Sequence, residues 1–276
     1  MTIALVLKVN DGIVLAADSA TTMMVGPGDI ANVYNNANKV FNLHKGLPIG
    51  AMTWGLGNVG PASIATIAKD VRRAFQGDDA SNVDAKLDEA NYSMDTVAET
   101  VHQHFLGRFD AQFGTQPPVA TLGFLVAGYP SEGDDAHLYL IDAGKPGIPP
   151  AEILQSSGAA WWGQPEAISR IMNGLSNDTA TALVNLNVGV DLAAAHQLVM
   201  NIRDQVAGQV VNDAMPIQDA IDLAHFLVYA TIQFVRFQPG TPTVGGPIEI
   251  ATITKHEGFK WVSRKHYYDE KLNPGR

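Results

Sequence analysis

The sequence predicts a layered α+β fold. Three observations carry this: apolar, β-branched runs broken by turn residues at the front, two following stretches with helical apolar spacing, and a return to strands at the end. Runs of strands alternating with runs of helices argue against regular βαβ winding and for sheets with helices packed on them. No repeat or linker divides the 276 residues, so a single domain over 1–276 is expected.

The elements follow in order. Thr2–Val9 and Ile13–Ala17 are apolar runs joined through Asn10-Asp11-Gly12. An Asp-Gly between such runs predicts a tight hairpin whose central residues have positive φ. Asp18–Asn38 is polar and rich in Gly and Asn, so it reads as loop or irregular strand. Lys39–Leu43 and Leu47–Trp54 read as a strand pair. Pro61–Phe75 has helical spacing at Ile64, Ile67, Ala68 and Val71, with Pro61 suited to a first turn. Gln76–Asn91 is acidic and reads as an exposed insertion, and Tyr92–Phe113 is a second helix. Val119–Ala127 and His137–Ile141 form the next hairpin. Glu152–Gln155 is a short strand, followed by Ser156-Ser157-Gly158 and a helix from about Pro165. Ser176–Asn212 is further helical material and Ile217–Phe234 a strong helix. Pro247–Thr254 and Phe259–Ser263 close as strands.

Composition narrows the function. The 18 Lys and Arg against 28 Asp and Glu leave a net charge of −10, which repels phosphate and disfavours nucleic acid or an anionic membrane as partner. Zero cysteines remove thiolate nucleophiles and thiolate metal sites. The apolar runs are too short for a membrane helix, and the first residues lack the basic segment of a signal peptide, so a cytoplasmic location is expected.

Three constellations could carry chemistry. Gly55-Leu56-Gly57-Asn58-Val59-Gly60 follows a strand and precedes a helix, as a dinucleotide fingerprint does. That fingerprint also needs a second parallel strand ending in an acid, and none follows here. A tight turn with close backbone approach is the better reading. The eight histidines show no pair at ligand spacing on a helix, so no metal or other cofactor is expected. The third constellation is Thr2 with Asp18 and Lys39. Removing Met1 would give Thr2 a free α-amine beside its own hydroxyl, so one residue supplies nucleophile and base. Lys39 could depress both pKa values, and Asp18 could hold Lys39 in place. Each of the three also has an ordinary reading, as chain start, turn former and strand end.

In order and spacing, Thr2-Ile-Ala-Leu-Val, Asp11-Gly12 through Asp18, Asn38-Lys39-Val-Phe and Ile49 through Trp54-Gly55 resemble the start of proteasome β-type subunits and their bacterial relatives. Gly123–Tyr129 and His137–Asp142 are similar to that family's central hairpin, Gln155-Ser156-Ser157-Gly158 to its serine-glycine segment, and Thr243 through Ile248 to its closing strand entry. The resemblance spans most of the chain, with insertions near 77–92 and 175–213. It implies a four-layer αββα sandwich of the N-terminal nucleophile hydrolase type and threonine peptidase activity through an acyl-enzyme. Thr2 would be nucleophile and its amine base, with Lys39 the activator oriented by Asp18. Ser157 would support the amine, and a backbone N–H in the Gly55–Gly57 turn, preferably that of Gly57, would form the oxyanion hole. It further implies a peptide or unfolded-protein substrate, a homo-oligomeric ring or spiral, and an ATP-dependent unfoldase as a possible partner.

The departures open alternatives. The family's Asp and Ser ahead of its closing Gly-Gly are Thr241 and Val244 here, and a basic residue two after the acidic partner is Ala20. A catalytically silent ring or scaffold subunit, or a related acyl-transfer (peptide ligase) enzyme, would fit these changes. No propeptide is expected ahead of Thr2. Trp54 falls near the floor of the family's specificity pocket, where an indole predicts a preference for small side chains; a core tryptophan is the other reading.

Overall fold

The run Ile3–Val9 (β1) is apolar at nearly every position, a pattern that suits a strand covered on both faces. The computed structural model, which describes residues 2–26, 29–79, 85–114, 121–145 and 147–265, shows that arrangement. Ile3, Leu5, Leu7 and Val9 point into one core, and Ala4 and Val6 into another. Gly12–Ala17 (β2) divides in the same way, with Val14 and Ala16 on one side and Ile13, Leu15 and Ala17 on the other. The period of two in a strand produces this split.

The chain continues through Thr21–Gly26 (β3), Asp29–Tyr34 (β4), Val40–Asn42 (β5), Ile49–Gly55 (β6), Asn58–Val59 (β7) and Ala62–Ser63 (β8). Helices Ile64–Phe75 (α1) and Met94–Phe113 (α2) follow, each started by a serine. Ser63 accepts from the Thr66 N–H and Ser93 from the Thr96 N–H. Next come Leu122–Gly128 (β9), His137–Asp142 (β10), Ala151–Ile153 (β11) and Gly158–Gly163 (β12). Glu166–Asn173 (α3), Thr179–Asn185 (α4), Leu192–Val206 (α5) and Ile217–Arg236 (α6) precede Glu249–Thr254 (β13) and Gly258–Ser263 (β14).

Two five-stranded sheets result, ordered β12-β1-β2-β13-β14 and β11-β10-β9-β6-β5. Every strand pair described is antiparallel. One core joins the two sheets face to face. A second packs α3 and α6 on the first sheet, and a third packs α1 and α2 on the second sheet around Phe105 and Phe124. The fold is therefore α+β with helices on the outer faces of two packed antiparallel sheets.

Several expectations change. Strand β12 has no counterpart in the pattern reading, although it is the partner of β1. Asp18–Asn38, read as loop or irregular strand, contains the β3–β4 ribbon, whose register shifts at two places. Asn10 and Asp11 are the central residues of the first turn, and neither has positive φ. Gly12 is required for a different reason: a Cβ there would lie 2.7 Å from the Ile253 carbonyl of β13. Of the acidic stretch 76–91, residues 80–84 lie outside the described ones, as do 115–120 of the segment before β9. Leu87 is buried in the α1–α2 core and donates to Phe75 O at 3.1 Å, so that end of the stretch is packed rather than exposed. The Gly55–Gly60 segment runs from the last residue of antiparallel β6 through β7 of the small β7–β8 hairpin, without the parallel unit a dinucleotide site needs.

Candidate active site

The front of the chain and the end of β2 meet because β1 and β2 pair from Val9↔Gly12 to Ala4↔Ala17. That register carries Asp18 back beside Thr2 and Ile3. Asp18 is fully buried (0% exposed) and its carboxylate is saturated. Oδ1 accepts from the Ile3 N–H at 3.0 Å and from Lys39 Nζ at 2.5 Å. Oδ2 accepts from the N–H groups of Ala20 and Gly245, each at 3.0 Å. A carboxylate without solvent has to be paired and hydrogen-bonded, and these four donors meet that requirement.

Lys39 reaches this carboxylate from the residue before β5 and is 4% exposed. Burial pushes its ammonium below the ordinary lysine value. The Asp18 charge and hydrogen bond oppose that shift, and the nearby Lys265 cation adds to it.

Thr2 is 5% exposed. It lines a cavity of about 270 Å³ together with Lys39, Thr21, Thr53, Trp54, Gly57 and residues at the start of α1. Its carbonyl accepts from the Gln164 N–H at 2.7 Å, just past the end of β12. Gly163 makes this approach possible. It has φ +98°, and a Cβ on it would lie 1.9 Å from Thr2 O. Gly57 borders the same cavity. The neighbouring Leu56 N–H is taken by Thr121 O at 3.0 Å, whereas no hydrogen bond among the described residues uses the Gly57 N–H. Of the two, Gly57 is the donor available to a ligand.

Thus Thr2, Asp18, Lys39 and Gly57 come together and Ser157 does not. The antiparallel register of β1 with β12 sets Ile3 opposite Gly163 and Lys8 opposite Gly158. Ser157 therefore sits at the Lys8 end, roughly 20 Å of strand from Thr2. Lys8 Nζ confirms the location by donating to Gln155 O at 3.1 Å. The place beside Thr2 belongs to Gln164. Only the β12 register, which a missed strand concealed, could have shown this.

Trp54 is half-buried and packs against the core between the sheets. It lines the cavity, and it stacks on Trp162 with centroids 4.3 Å apart. Thr241 is exposed, Thr243 is buried, and Val244 packs into the α3–α6 core. The closing segment therefore serves the site through its backbone, by the Gly245 N–H on Asp18. The described residues contain no cluster of three or more potential metal ligands, and none of their helices is long and apolar enough to cross a membrane. The chain matches no protein-family model and, at a significant level, no curated protein.

Proposed function

We propose that this chain is an N-terminal threonine peptidase built on a four-layer sandwich of the N-terminal nucleophile hydrolase type. The observation that carries the reading is the placement of Thr2 and a buried, Asp18-bound Lys39 on the wall of one cavity.

Once Met1 is removed, the Thr2 α-amine takes the proton of the Thr2 hydroxyl as Oγ attacks an amide carbonyl. The Lys39 cation favours the neutral amine and the developing alkoxide. The Gly57 N–H donates to the oxygen that gains charge. The ammonium then passes its proton to the departing amine, leaving an ester on Thr2. Water attacks that ester with the same amine as base, releases the acid and restores Thr2.

The substrate class is a peptide or an unfolded protein, since the cavity admits a side chain and not a folded domain. A homo-oligomeric ring or spiral, a cytoplasmic location and an unfoldase partner belong to the same reading through its family resemblance.

Hydrolysis of a short-peptide panel, with intact mass to establish Met1 removal, tests it. Thr2→Ser retains activity and Thr2→Ala loses at least about a hundredfold. Full activity in Thr2→Ala ends the proposal. A silent subunit of the same fold is the second reading, favoured by Val244 being a core residue where the family carries a polar group near the amine. A stably retained Met1 would support it.

A further inference from the structure

Behind the Asp18–Lys39 pair lies a second pair that the proposed chemistry does not use. Glu249, at the start of β13, is 1% exposed. Lys265, two residues beyond β14, has its ammonium 3.0 Å from Glu249 Oε2, an ion contact without the alignment of a hydrogen bond. The same ammonium donates to Ser19 Oγ at 2.8 Å and to Ala37 O at 2.7 Å. Ser19 follows Asp18, and Ala37 comes two residues before Lys39. Ser19 is held further, with its N–H on Gly245 O at 2.9 Å and its hydroxyl on Pro247 O at 2.7 Å. One cation thus ties together the two segments that deliver Asp18 and Lys39. A buried pair of this kind is retained at a cost in desolvation, and both side chains here are more than nine-tenths buried.

We infer that Glu249 and Lys265 form a positioning pair that fixes the place and the proton affinity of Lys39. This inference rests on the reading of Lys39 as activator of Thr2. The charged groups around the Lys39 ammonium are Asp18 from the end of β2, Glu249 from β13 and Lys265 beyond β14. Lys69 and Arg72 of α1 and Arg264 line the cleft that Glu249 also borders. Lys265 repels the proton on Lys39 and Glu249 attracts it, so the two have opposite signs of effect.

The signs give the test. The full chain is labelled with 13Cε-lysine, the Lys39 signal is assigned by its loss in Lys39→Met, and its titration is followed by NMR. Lys265→Met raises the Lys39 midpoint measurably and Glu249→Gln lowers it, as the signs of the removed charges require. Lys265→Arg keeps it within about half a unit. A purely structural role predicts shifts of one sign in both variants, or none, and either result overturns the inference. If one variant does not fold, the direction of shift in the other decides. In the peptidase assay, the alkaline limb of the pH–rate profile, where Lys39 loses its proton, moves to higher pH in Lys265→Met and returns in Lys265→Arg. If the wild-type chain hydrolyses nothing, the Thr2 reading fails, and the NMR titration still decides the role of the pair.

Discussion

Replacing Asp18 by Asn tests the site where its geometry is most demanding. The carboxylate gives two lone-pair oxygens to four donors. An Asn can keep its oxygen toward Ile3 N–H and Lys39 Nζ. Its NH2 then faces the Ala20 and Gly245 N–H groups, donor against donor, and the reverse orientation only moves the conflict to the other two. Two buried N–H groups lose their acceptor, at about 1–3 kcal/mol each, and Lys39 keeps a buried charge without a counter-ion. The loss expected is about 4–6 kcal/mol, a large share of the roughly 5–15 kcal/mol that holds a domain together. Lys39→Met is milder. The carboxylate loses its counter-ion but keeps three N–H donors, so the cost stays at the lower end for a broken buried pair, about 3 kcal/mol. Urea unfolding followed by circular dichroism reads both from the midpoints. The ordering is the test: Asp18→Asn must fall well below Lys39→Met in stability, while both abolish hydrolysis. An Asp18→Asn midpoint equal to or above that of Lys39→Met would refute the accounting of donors.

Other consequences can be checked as readily. Gly163→Ala drives a Cβ toward Thr2 O and forces a left-handed φ on alanine, so it should cost at least about 2 kcal/mol and disrupt the site; an unchanged melting temperature would contradict the described contact. Trp54→Ala should widen the cavity, shift peptide preference toward larger side chains, and lower stability by about 2–3 kcal/mol through lost packing against the core between the sheets and the lost Trp162 stack. A preference for bulky residues in the wild-type chain would count against Trp54 as pocket floor. Burial holds His44 and His104 below the ordinary histidine value of 6.5, against the pull of Glu89 on His44 and of Asp70 and Asp79 on His104. The unfolded chain then binds more protons, so their contribution is complete above pH 6.5 and is lost as pH falls toward the folded values. His44→Gln should flatten part of that decline in a pH series of unfolding midpoints.

The sequence disclosed what depended on period and local chemistry. The unbroken apolar letters of β1 and β2, the spacing of Ile64, Ile67 and Val71, and the paired appearance of Asp18 and Lys39 all survive as elements and contacts. What it concealed depended on register. Gly158–Gly163 contains two alanines and two tryptophans and carries no strong strand signal, because its place is set by pairing with β1. Ser157 was expected from the family resemblance alone, and without the β12 register nothing showed that it falls at the Lys8 end or that Gln164 lies beside Thr2. Glu249 lies inside the expected strand Pro247–Thr254 and drew no reading of its own, because its partner Lys265 lies 16 residues on and is joined to it only by the β13–β14 hairpin.

The burial of Thr2 has a practical consequence. Interior strand β1 is held on both sides by β12 and β2, so its first residue cannot swing outward without breaking the sheet. Thr2 lines the cavity, so a segment fused ahead of it is expected to crowd that cavity as a tethered plug would. Purification handles at that end are therefore expected to mask reactivity, and a cleavable leader there could serve as a built-in safety catch for a protein engineer.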